Sequence, residues 1–257
     1  MAGALCGLVG VYVVLKGMSY IGHGLSHAIF GGFAASTLLG INFLLGAGAW
    51  GVASALMING VTRRRVLKSD AAIGVITTAS FALGLALFAF FDGDGGSFDA
   101  ALFGSILGVR TQDVVAIAVV CAMASALVFL RYRALLFTTF DPEVAEVSGV
   151  NTARMDALLM LVLAGSILAT MKILGVTLIA AALVIPPAIA RMLTTSFSRM
   201  LWMSAAIGAG CGFVGMNLSY HLDVQSGPTI VLVAATAFAF VFVATGPLRT
   251  LPGGARA

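Results

Sequence analysis

Met18 to Phe33 reads M-S-Y-I-G-H-G-L-S-H-A-I-F-G-G-F, an apolar run that carries two histidines four residues apart. Four residues make about one helical turn, so His23 and His27 share a helix face and can grip one ion together. The flanking sequence stays apolar far beyond this stretch, which makes the helix a membrane segment. An ionisable group inside a membrane is by default part of a functional site, and paired imidazoles suit zinc and its neighbours among the transition metals.

Working outward, the 257 residues are 60% hydrophobic and only 9% charged, with a mean hydropathy of +1.09. Soluble domains carry about 25% charged residues. Apolar runs of about 20 residues recur along the chain, so the reading is an all-α, polytopic integral membrane protein, residues 1–257 forming a single transmembrane domain. A cleavable signal is not expected, because no basic stretch precedes the apolar run 2–15. The net charge of +4 sits in short loops rather than in a basic domain, which excludes nucleic acid as a partner and leaves membrane lipid. Cys6, Cys121 and Cys211 are isolated in apolar segments and read as packed hydrophobes, not as a disulfide framework or a cysteine metal site.

Taken in order, spans are expected at about 2–15, 19–39, 42–58, 71–91, 114–130, 155–171, 175–190, 201–218 and 229–244. The first is short, so the count is eight or nine. With these limits Lys16, Arg63, Arg64, Arg65, Lys68, Arg131, Arg133, Arg154, Arg191, Arg199, Arg249 and Arg256 all fall on one side, which the positive-inside rule makes cytoplasmic. Arg110 and Lys172 fall outside. The N-terminus is then outside and the C-terminus in the cytoplasm. The acidic loop Asp92 to Asp99 is too short and irregular for an EF-hand and reads as an outer turn.

Two interruptions carry more information. In T-T-F-D-P-E-V-A-E-V-S-G-V-N-T-A-R, residues 138–154, Asp141 is a helix cap, Pro142 fits the first helical position, Glu143 favours the positive helix end, and Gly149 can close the helix. A two-turn cytoplasmic helix near 141–147 follows, with Asp141, Pro142, Glu143, Ala145, Glu146 and Gly149 as a docking knob for a cytosolic partner. Farther on, Pro186 and Pro187 remove two backbone donors and are expected to break their helix. In lipid such a break is tolerated only against protein or a water-filled path, so the two prolines are expected to line the protein interior.

Depth supports a site at the histidines. Counting from Lys16 at 1.5 Å per residue, His27 lies roughly 16 Å into a hydrocarbon layer about 30 Å thick. The histidine face continues with Gly31 and Ala35, with nothing bulky beyond the pair. The adjacent face, Gly24, Ala28, Gly32 and Ser36, is small throughout and lets a neighbouring helix approach closely. An intramembrane metalloprotease would read H-E-x-x-H, its glutamate serving as base. Gly24 follows His23 here, which favours metal passage over hydrolysis. The bland alternative is that each histidine bonds a backbone carbonyl or a serine such as Ser26 and only pins helices. His221 and Asp223 alternate around Leu222, and on extended backbone would point the same way as a second ligand pair at an outer mouth. No G-x-x-x-x-G-K-[ST] loop occurs, so ATP hydrolysis of the usual P-loop kind is not expected of this chain.

The blocks G-M-S-Y-I-G-H-G-L-S-H-A at 17–28, D-A-A-I-G at 70–74, D-P-E-V-A-E-V-S-G-V at 141–150, L-G-V-T-L-I-A-A-A-L-V-I-P-P-A-I-A-R at 174–191 and S-G-P-T-I-V-L-V at 226–233 together resemble the membrane permeases of bacterial ABC importers for zinc, manganese and iron. The resemblance covers essentially the whole chain. It implies a homodimeric permease of the bacterial inner membrane, with no permanently bound cofactor, joined to cytosolic ATP-binding subunits and fed by an extracytoplasmic metal-binding protein. Residues 141–150 resemble the coupling helix of that family. The metal pair there usually reads Asp-x-x-x-His, so His27 matches its second position and His23 departs from its first. An imidazole in place of a carboxylate favours zinc over manganese, and zinc is the expected cargo with manganese next. His221 stands where an aromatic residue is common. A permease for an organic cargo such as a metal chelate or vitamin, or a metal transporter that needs no ATPase, are the competing readings.

Overall fold

The structure is a computed structural model that describes residues 1–63, 69–90, 102–104 and 109–249. Arg64, Arg65, Lys68, the Asp92 to Asp99 loop and Arg256 lie outside the described residues, as does the Arg249 side chain. Among the described residues the chain is helical without strands. Its helices are α1 (Ala2–Leu15), α2 (Ser19–Leu38), α3 (Phe43–Arg63), α4 (Ser69–Phe90), α5 (Thr111–Leu130), α6 (Tyr132–Phe140), α7 (Pro142–Val147), α8 (Thr152–Leu174), α9 (Ile179–Leu193), α10 (Phe197–Leu222) and α11 (Ser226–Arg249).

Among the described residues six of these, α3, α4, α5, α8, α10 and α11, are by themselves long and apolar enough to cross a membrane, fewer than the expected eight or nine. The reason lies in the other three candidates. α1 and α9 have 14 and 15 residues, about 21 and 23 Å at 1.5 Å per residue. α2 is long enough at 20 residues, but its glycines, serines and histidines dilute its hydropathy. All three are the helices the others pack around. Twelve of the 20 residues of α2 are buried, and every residue of α1 from Leu5 to Val13 is buried.

Glycines permit that packing. A side chain on Gly3 would run into the backbone of Gly208, and one on Gly7 into the carbonyl of Ser204. α1 and α10 therefore cross backbone to backbone, as small-residue crossings in membranes do, and the Ser204 hydroxyl donates to the Gly7 carbonyl at 2.7 Å. Gly10 lies in the same way on the Leu183 carbonyl of α9. That carbonyl is one of the two that Pro186 and Pro187 deprive of a partner. Contrary to expectation α9 runs unbroken through both prolines, and Gly10 sets its Cα against the one freed oxygen, a weak contact that partly compensates it. Both prolines are buried.

Ion pairs fix both ends of α8. Lys16, at the end of α1, meets Asp156 at 2.5 Å, and Lys172 meets Asp113, at the start of α5, at 2.7 Å. Gly175 ends α8 at φ 78°, a conformation that costs a glycine little. Residues 102–104 strap the joint that follows: the Leu102 carbonyl accepts from the Thr177 amide at 3.2 Å and from its hydroxyl at 2.7 Å.

The apolar interior divides into two clusters. One, with Ile21, Leu25, Ala28, Ile29, Phe30 and Ile73, surrounds α2. The other, with Leu8, Tyr12, Leu135, Met155, Ala190 and Leu201, lies toward α6 and α7. α1 contributes to both.

Candidate metal-transfer site

α2 places His23 and His27 side by side, both half-buried, with ring centroids 4.2 Å apart and planes tilted by 47°. The helical spacing alone accounts for this proximity. The His27 Nδ1 lies 2.9 Å from the His23 carbonyl oxygen. With Nδ1 donating there, Nε2 keeps its lone pair free to bind an ion, the usual arrangement of a metal-binding histidine. The Ser26 hydroxyl lies 2.8 Å from the same carbonyl, 2.9 Å from the Val176 carbonyl and 3.5 Å from His27 Nδ1. Its single proton serves one of these at a time, and through Val176 it ties α2 to the joint between α8 and α9.

The small-residue face packs as its composition suggests. A side chain on Gly24 would collide with Ile73 and Thr77 of α4, and one on Gly32 with Trp50 of α3. Gly31, expected beside the ion path, instead lies against the Ser80 carbonyl of α4. Space beyond the pair is not empty either: the Phe81 ring stands 4.5 Å from His27 and leads into a cluster with Phe30 and Phe88. On the other side the Tyr20 ring lies 5.9 Å from His23.

Sequence reasoning missed the polar relay beneath the site. Trp50 Nε1 donates to the Ser80 hydroxyl at 2.6 Å, and Ser80 donates to the Ala28 carbonyl at 3.2 Å. Three helices are thus joined one residue beyond His27. A tryptophan and a serine inside apolar spans are the signal, since both need partners away from water.

His221 and Asp223 differ from expectation. The helix continues through Leu222, so His221 sits in its last turn with its ring 5.6 Å from Tyr220. Asp223 adopts the left-handed conformation at φ 53°, ψ 42°. The extended backbone needed to align the two side chains does not form, because a helix end closed by the Val224 amide on the Ser219 carbonyl at 3.2 Å takes its place. Among the described residues no three His, Cys, Asp or Glu side chains come together to hold a metal. Among those residues the chain offers the pair alone.

The 138–154 segment folds closely as read, preceded by the additional helix α6. Asp141 caps α7, its carboxylate accepting from the Val144 amide at 3.0 Å. Pro142 opens the helix, and Gly149 turns the chain at φ 81°. Ala145 is fully buried, and Glu146 accepts from the Thr152 hydroxyl at 2.6 Å, anchoring α7 to α8. Glu143, Val144 and Val147 face outward, Val147 at 92% exposure.

Residues 1–245 match the ABC 3 transport family. The manganese transport system membrane protein MntC of Listeria innocua is 34% identical over 241 residues, which cover 94% of this chain and 86% of that one. A probable iron transport system membrane protein of Haemophilus influenzae is 34% identical over 234 residues, covering 91% and 86%. Among solved structures, PsaBC from Streptococcus pneumoniae in complex with Fab superposes with a TM-score of 0.87 at 32% identity, covering 97% of this chain and 90% of that one. The chain belongs to the ABC 3 transport family, as a multi-pass membrane permease of a metal ABC importer.

Proposed function

We propose that this permease carries manganese inward, the ion passing between His23 and His27 of two copies of the chain related by a twofold axis. The single observation that carries the place of passage is the imidazole pair on α2, with His27 Nδ1 committed to a carbonyl and Nε2 free. Two ligands are too few to hold a transition metal. A second copy doubles them to four. Moderate binding suits a conducting site, where an ion must leave as readily as it enters.

The metal named for the Listeria innocua relative, manganese, moves the assignment away from the zinc expected from His23. Zinc remains the second reading on one specific observation: the pair is two nitrogens, and no carboxylate joins it among the described residues. Manganese prefers oxygen ligands, whereas imidazole suits zinc.

α7 is the coupling element. Its exposed Glu143, Val144 and Val147 meet a cytosolic ATP-binding subunit, while Ala145 and Glu146 hold it to the membrane part. An extracytoplasmic metal-binding protein delivers the ion at the opposite face. α1, α2 and α9, enclosed by the six apolar helices, complete the crossings with the C-terminus in the cytoplasm. His221 and Asp223, at the helix end closed by Val224 on Ser219, stand apart from the α2 pair and are not assigned to the ion path.

The test is uptake by the intact complex in proteoliposomes with manganese and zinc in competition. Manganese uptake dependent on ATP is the expected result; zinc uptake alone would establish the second reading, and uptake of neither would refute both. His23→Asp should raise the manganese-to-zinc ratio at least severalfold, since a carboxylate oxygen replaces a nitrogen. An unchanged ratio would remove His23 from the coordination sphere.

A further inference from the structure

The joint between α5 and α6 carries a feature that metal passage does not use. Arg131 ends α5 and starts α6, at φ −108°, ψ 19°. Around it Phe129, Leu130, Arg131, Tyr132, Arg133 and Ala134 line a concavity of about 430 Å³. On the span side its wall is apolar and open: Leu130 is 82% exposed, and the Phe129 ring packs 5.6 Å from Trp202 of α10, itself 62% exposed. On the other side stand Arg131 and Arg133, both exposed. Neither has a carboxylate partner among the described residues, where Asp113 and Asp156 are engaged by Lys172 and Lys16.

We propose that this concavity binds an anionic phospholipid, the guanidinium groups of Arg131 and Arg133 holding its phosphate and the Phe129, Leu130 and Trp202 surface holding an acyl chain. α5 is one of the helices able to cross a membrane, and it ends at Leu130. The two arginines therefore stand where hydrocarbon gives way to headgroups. Guanidinium is suited to phosphate because its planar fork donates two parallel hydrogen bonds, and basic residues at a membrane surface select anionic lipid. An acidic protein surface would satisfy the charges but leave Leu130, Phe129 and Trp202 uncovered. An amphiphile satisfies both sides of the joint at once.

The position gives the lipid a consequence. Tyr132, between the two arginines, packs its ring 5.5 Å from Phe197, and α6 leads through Phe140 directly into the Asp141 cap of α7. A bound headgroup therefore steadies the root of α7, a consequence that rests on α7 being the coupling element.

Lipid binding itself is tested without transport. The full-length permease is purified in mild detergent, offered phosphatidylglycerol and phosphatidylcholine in equal amounts, and its retained lipid is counted by native mass spectrometry. Wild type should retain phosphatidylglycerol about tenfold over phosphatidylcholine, and R131Q/R133Q should lose that preference. Equal retention of the two lipids by wild type would overturn the proposal whether or not the variant folds. So would a variant that keeps the preference but fails to hold the ATP-binding subunits, because the arginines would then face protein. In the reconstituted complex, phosphatidylglycerol should raise the metal carried per ATP; no such rise alongside selective retention would count against the coupling role of α7 while leaving the lipid site standing.

Discussion

The two ends of this permease are built differently. Around the histidines, α2 meets its neighbours through glycines and hydrogen bonds as well as the Phe81 ring cluster: Gly24 and Gly31 on α4, Gly32 on Trp50, Ser26 on the Val176 carbonyl. At the other end α7 is held by one buried alanine and one hydrogen bond to α8, while rings meet around Phe197, with Tyr12 at 5.6 Å, Tyr132 at 5.5 Å and Phe140 at 5.9 Å. Backbone-to-backbone crossings leave no room to slide, whereas ring edges tolerate small rotations at modest cost. A rigid end at the histidines and a yielding end at α7 suit the roles proposed for them, metal passage and coupling. α1, α5, α8 and α9 each contribute to both apolar clusters and join the two ends.

The contrast can be broken most severely at Gly31. Gly31→Leu forces α2 from the Ser80 backbone and should cost about 3 kcal/mol or more by overpacking, seen as a large drop in thermal stability and in folded yield. A stable, active variant would show that the α2 to α4 crossing is not close. Phe197→Ala should cost less, about 2 kcal/mol for a half-buried ring, and should leave ATP hydrolysis in the complex while lowering metal carried per ATP. Equal loss of both activities would mean that Phe197 only fills space. Smallest is Asp141→Ala, which removes the α7 cap at a cost of about 1 kcal/mol; coupling should weaken with the histidine end unchanged in stability, and no change in coupling would detach α7 from the mechanism.

Much of this was legible in the residues. The caps of α7 were, because Asp141, Pro142 and Gly149 act within a few residues of themselves. The histidine pair and the small face of α2 were, because helical spacing is local. Pro186 and Pro187 misled, since the loss of donors is local but the packing around them, such as Gly10 of another helix on the Leu183 carbonyl, is not. Fewer than eight helices are long and apolar enough to span by themselves for a related reason: α1, α2 and α9 are shielded by other helices, so their length and hydropathy answer to packing rather than to lipid. His221 and Asp223 required an extended backbone, and the helix through Leu222 removed it. The Trp50 to Ser80 relay could not be paired from sequence, as 30 residues separate its members.

The central claim is that the metal passes between His23 and His27. Metal uptake by the intact complex in proteoliposomes, measured for wild type, His23→Ala and His27→Ala at matched protein and equal ATP hydrolysis, tests it most directly. The account predicts that His27→Ala lowers uptake at least tenfold and that His23→Ala lowers it too while changing the choice of metal. Undiminished uptake of manganese and zinc in both variants would contradict it.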